Sequence, residues 1–120
     1  MKNLDLYKQV LFLLRISDSL YEMYIDSGKN YIFARSLYRN NYKIYSLIMD
    51  NLSCVDSELE TDFQTLLVHY NNWFSQFELN KNLLKNITEN TTFFFKRNKF
   101  DVGFPKGFIV KLTQFAGNHE

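Results

Sequence analysis

The sequence predicts an all-α fold: an antiparallel bundle of three long helices, with a short C-terminal helix and an irregular closing segment. Three observations carry this expectation. The chain is rich in rings and poor in breakers, with Tyr 8 and Phe 12 against Gly 4 and Pro 1 in 120 residues. Apolar residues recur at spacings of three, four and seven from the N-terminus to about residue 87, with no sustained alternation of period two. A hydrophobic content of 46% suffices for a core, and at a net charge of +1 the chain is too apolar and too nearly neutral to be disordered.

The first helix is expected from about Leu4 to Ile25, with Tyr7, Val10, Leu11, Leu14, Tyr21 and Ile25 on its apolar face. Asp26-Ser27-Gly28 supplies the stop, Gly28 being suited to a C-terminal cap. A second helix follows Lys29-Asn30, with Tyr31, Ala34, Leu37, Tyr38, Asn41, Tyr45 and Ile48 on one face, and ends between Asp50 and Ser53. The short link between the two implies antiparallel neighbours. A third helix starts at Asp56 or Ser57, where Glu58, Glu60 and Asp62 complement the positive end of the helix dipole. Its apolar face reads Leu59, Phe63, Leu66, Leu67, Tyr70, Phe74 and Phe77, and the pattern runs on past Leu83 and Leu84 towards Ile87, with a break near Asn80 as an alternative. Residues 89–104 read as an irregular or short hairpin segment laid across the bundle. A last helix starts near Pro105, buries Phe108, Leu112 and Phe115, and stops at Gly117. The expected organisation is one helical domain over 1–120, with 1–88 as the bundle core and 89–120 as a basic, aromatic C-terminal closure.

Charge is unevenly spread: +2 over residues 1–50, −4 over 51–92 and +3 over 93–120. There is thus no global field to gather nucleic acid or an anionic membrane. The single cysteine, Cys54, excludes an internal disulfide and a multi-cysteine zinc site and suits a reducing compartment, so a cytoplasmic location is expected. Asp56 and Glu58 beside it disfavour the thiolate. The apolar run from Val10 to Leu14 stops at Arg15, too short for a membrane span or a secretory signal. The abundance of Asn, Lys, Ile, Tyr and Phe points to an AT-rich genome, bacterial or viral.

No catalytic or nucleotide-binding motif is complete. Glycine-rich phosphate loops and a G-x-S-x-G elbow are missing. No Arg stands four to six residues before either His, the pairing that marks small helical ribonucleases. His69 and His119 lack the partners a metal needs, so neither a metal nor a cofactor is expected. The weak catalytic candidates are His69 and Asp62, seven residues apart on roughly one face, with Asn72 and Gln76 assisting. The stripe His69, Asn72, Trp73 and Gln76 is nonetheless the best polar-aromatic constellation in the chain, and the first choice for a functional patch.

Arg35, Arg39 and Lys43 form a cationic row on the second helix, and Lys96, Arg97 and Lys99 stand among phenylalanines in the tail. Together they are the candidate surface for nucleic acid, the alternative partner class. The reading favoured by the incomplete chemistry and the excess of rings is a non-enzymatic protein-interaction module, a small bacterial or phage accessory protein. It would bind a protein partner or itself through Tyr38, Tyr42, Tyr70 and Trp73, residue types that serve well as interface anchors.

Overall fold

A computed structural model describes residues 3–95 and 101–117. They form four α-helices, α1 (Asn3–Asp26), α2 (Tyr31–Asn51), α3 (Ser57–Leu83) and α4 (Phe108–Gly117), with a 3-10 turn at Leu52–Cys54. The all-α expectation holds, and no strand occurs among the described residues. No helix is long and apolar enough to cross a membrane.

Each boundary has an identifiable cause. α1 ends where Gly28 and Lys29 enter the left-handed region at φ of +82° and +66°, and their N–H groups close on the carbonyls of Ile25 and Tyr24. At the start of α2 the side chain of Asn30 makes no cap. The N–H groups of Tyr31 and Ile32 instead donate to the carbonyls of Thr91 and Glu89, at 2.8 and 3.0 Å. A distant stretch of chain thus satisfies donors that a helix start leaves open. α3 begins after Asp56, with Glu58 and Glu60 in its first turn. It runs unbroken through Asn80 but stops at Leu83, short of the Ile87 that periodicity allows. Leu84 turns to extended backbone and Asn86 has a φ of +57°, which ends the helix. Pro105 precedes α4 in a turn whose Gly107 has a φ of +71°.

Of the 89–104 segment expected to be irregular or a short hairpin, 96–100 lie outside the described residues; the described residues 89–95 and 101–107 contain no strand, and a bridge joins Asn30 to Thr92. We call these residues the strap. Its first part is fastened to the end of α1 and the start of α2. The Phe93 N–H donates to the Lys29 carbonyl at 2.8 Å, and the Tyr24 hydroxyl donates to the Phe93 carbonyl.

α1 packs against α2 and α4, and α2 against α3. Residues pair in opposite order along α2 and α3: Tyr31 meets Phe77, and Tyr45 meets Phe74. The α1–α2 seam is set by a buried polar knot. Asn40 donates to the Leu13 carbonyl and to Ser17 Oγ, at 2.8 and 2.7 Å, and Ser17 donates to Asn41 Oδ1 at 2.6 Å. A one-residue slip would leave these groups unpaired in an apolar interior, so the knot fixes register. The core has two clusters. One, around Leu6, Val10, Ile44, Phe63, Leu66 and Phe108, ties all four helices; the other joins Tyr24, Tyr31, Ala34, Phe77 and Phe93. Tyr38 and Trp73 pack against both. Tyr21 and Ile25, assigned by periodicity to the buried face of α1, are 52% and 42% exposed. The buried stripe passes through Tyr24 instead, because that ring meets the strap. Phe115 is half-buried, not buried.

The Tyr7 hydroxyl donates to Asp56 Oδ2 at 2.6 Å and accepts the Asp56 N–H at 2.8 Å, fastening α1 to the residue that opens α3. Burial, then the hydrogen bond to the Asp56 carboxylate, pushes the Tyr7 phenol up to about 12; burial does the same to Tyr24. The folded chain holds these protons more tightly than the unfolded chain, so the stability they confer is complete below the ordinary value of 10.0 and is lost as pH climbs towards 12. Tyr7→Phe is expected to lower stability at neutral pH by about 1–3 kcal/mol. It should also flatten the alkaline loss without abolishing it, since Tyr24 remains. Urea denaturation across an alkaline pH series checks both.

Candidate functional site

α3 presents a flank of polar residues beside its buried face, and the strap runs along this flank in the opposite direction. Asn80 Nδ2 donates to the Phe94 carbonyl at 2.9 Å. Phe95 stacks on Trp73 with centroids 4.9 Å apart. Next to Trp73, Asn72 Oδ1 accepts the Val102 N–H at 2.8 Å, and one turn further back His69 Nδ1 bonds the Val102 carbonyl at 2.9 Å. Phe104 then meets the His69 ring edge-on at 5.8 Å. Two amides about two turns apart and an imidazole one turn further on thus serve as pegs for the chain laid along the helix.

Between α3 and the strap lies a cavity of about 170 Å³, lined by His69, Asn72, Trp73, Gln76, Phe95, Asp101 and Val102. All four members of the stripe singled out from the sequence therefore face one hollow. A wider hollow of about 290 Å³ opens on the other side of His69 and Trp73, towards Ser17, Asp18, Asn41 and Tyr70. Burial, and secondarily the charge of Asp18, pushes the Tyr70 phenol well above its ordinary range.

The two bonds at Val102 fix chemistry as well as position. A carbonyl only accepts, so His69 carries a proton on Nδ1, and in the neutral ring Nε2 holds the lone pair. Asn72 turns its oxygen to Val102, which leaves its NH₂ as the remaining donor group. The carboxylate expected to assist His69 is elsewhere: Asp62 pairs with Lys111 of α4 at 3.2 Å and lines neither hollow. The carboxylate in the smaller hollow is Asp101, and in the wider one Asp18. Their sequence distance from His69 hid both. No group of three or more possible metal ligands occurs among the described residues.

The other candidates are scattered. Tyr70 is buried, while Tyr38 and Trp73 are half-buried within the ring cluster. Tyr42 alone of the four expected anchors is widely exposed, at 52%. Arg35 lies over the Tyr31 ring and reaches Glu89 at 4.0 Å, so its guanidinium is engaged with the strap. Arg39 and Lys43 are exposed on α2. Lys96, Arg97 and Lys99 lie outside the described residues.

A group of exposed apolar residues stands at the far end of α3, around Leu83, the most exposed large apolar side chain among the described residues. Leu79, Leu83, Leu84 and Phe94 are 56%, 72%, 38% and 56% exposed. Leu83, Leu84 and Phe94 border a shallow hollow of about 180 Å³ with Asn80 and Thr92. Helical register offers a signal for this patch: Leu79 and Leu83 fall off the stripe set by Phe63, Tyr70 and Phe77. Comparison with protein-family models, with curated proteins and with solved structures yields no match.

Asn72→Ala should free the Val102 amide and loosen the strap locally. Hydrogen exchange is expected to speed at Val102 and stay unchanged at Tyr31 and Phe93, whose bonds lie at the other end of the strap.

Proposed function

We propose that this chain is a non-enzymatic interaction module that docks an acidic, amphipathic segment of a protein partner on the end of α3. The observation that carries the reading is the apolar patch of Leu79, Leu83, Leu84 and Phe94. Contiguous exposed apolar surface of this kind costs solubility and marks docking sites. Its rim is basic: Lys29 Nζ stands 5.0 Å from the centre of the Phe94 ring, and Lys81 and Lys85 are exposed beside Leu84. Two nearby carboxylates are directed elsewhere, Glu89 to Arg35 and Glu78 towards the Tyr38 hydroxyl.

Charge selects the occupant. A second copy would set lysines against lysines, whereas Asp and Glu flanking an apolar stripe would meet them favourably. The Cys54 thiol has no disulfide partner in the chain, which supports a reducing, cytoplasmic setting.

Short peptides selected on the protein from a displayed random library are expected to combine apolar residues with Asp and Glu. They should bind Leu83→Asp at least about tenfold more weakly, the effect of losing one modest anchor. Leu83 is 72% exposed, so the fold should tolerate the change. Selection without an acidic consensus, or equal binding to the variant, sinks the reading. A dimer in light scattering that Leu83→Asp dissolves reassigns the patch to self-association.

A further inference from the structure

We propose that the smaller hollow between α3 and the strap is a binding site for a planar six-membered lactam, the chemistry of a uracil-type ring. This inference is independent of the docking patch, which lies further along α3 and shares no lining residue with the hollow.

Size comes first. At about 170 Å³ the hollow is close to the ~150 Å³ that accepts a benzene molecule in a protein core, so it admits one six-membered ring and little more. Its walls are largely apolar, from Trp73 and Phe95.

Polarity then narrows the ring. Gln76 lines the hollow at 8% exposure, and its carboxamide has no hydrogen-bond partner among the described residues. Its polar atoms still reach the water of the hollow, since Arg35 Nε is the fully enclosed side-chain nitrogen or oxygen left without a partner among the described residues, and a ligand seated there must replace that water's hydrogen bonds. The carboxamide offers a donor and an acceptor side by side in one plane. Its complement is another amide edge, whose N–H meets Oε1 while its carbonyl takes a proton from Nε2. A chain-borne amide on a separate ring exceeds the volume, whereas a lactam carries the edge within the ring. The Asn72 NH₂, fixed in orientation by Val102, is a second donor for a second ring carbonyl. A plain hydrocarbon ring would leave both amides unpaired and is discriminated against on that ground.

Trp73 is the only tryptophan of the chain and borders both hollows, so its emission reports on either, and the Gln76 variants, which touch the smaller hollow only, tell the two apart. Uracil and uridine are titrated into the full-length protein, followed by Trp73 emission and by calorimetry, with toluene as the control ring. Saturable binding of uracil, tighter than that of toluene, is expected. Uridine tells whether the mouth passes a sugar, and saturable binding of either supports the site. Gln76→Met keeps volume and removes the amide, and should weaken uracil at least about tenfold while sparing toluene. Gln76→Glu, which keeps the shape and loses the donor, should weaken uracil similarly and guards against a misfolded Met variant. No saturable response to uracil or uridine, or unchanged uracil affinity in both folded variants, overturns the proposal.

Discussion

The first turn of α2 cannot complete its own hydrogen bonding, and the rest of the architecture follows from how that deficit is met. The N–H groups of Tyr31 and Ile32 take carbonyls from Thr91 and Glu89. This draws residues 89–93 onto the junction between α1 and α2, where Tyr24 and Lys29 hold Phe93. Once Phe93 is seated between Tyr31 and Phe77, the chain after it must leave along the flank of α3. The pegs at Asn80, Asn72 and His69 guide it there. Both the hollow beside Gln76 and the open patch beside Phe94 are products of that path.

The excess of rings has a specific structural use. Tyr38 lies within 4.5 to 5.8 Å of Phe77, Phe74 and Trp73, and Trp73 lies 4.9 Å from Phe95. These contacts bridge the two buried clusters and extend them to the strap. Rings buried in these tilted and stacked pairs gain area and ring–ring attraction together. The same packing withdraws Tyr70, and most of Tyr38 and Trp73, from the surface. Ring abundance in this chain therefore speaks first of internal cohesion, and exposed leucines, not tyrosines, make up the open patch.

Local signals were legible in the sequence and long-range ones were not. The span of α1, the start of α2, the acidic opening of α3 and the end of α4 at Gly117 each follow from periodicity, caps or breakers within a few residues. The stripe of His69, Asn72, Trp73 and Gln76 was legible because helical spacing alone puts those residues on one side. Its covering was not. Asp101 and Val102 reach the stripe only through the strap, whose position depends on bonds between residues near 30 and residues near 90. The early end of α3 escaped notice for a similar reason: Leu84 and Ile87 continue the pattern, but the chain must turn at Asn86 to bring Glu89 and Thr91 back to α2. The pairing of Asp62 with Lys111 was not legible either, because the two are 49 positions apart.

The cap on α2 has a consequence for how the chain is made. Tyr31 and Ile32 leave the ribosome roughly half a chain length ahead of Glu89 and Thr91. At bacterial or eukaryotic elongation speeds that interval lasts on the order of several seconds, far longer than helix pairing takes. The nascent hairpin of α1 and α2 thus waits with its inner turn unfinished and its Tyr24 and Tyr31 rings uncovered. Maturation is gated by the arrival of a few backbone oxygens, and a ribosome stalled before residue 89 holds a polypeptide whose helices exist but whose interior is still open to chaperones.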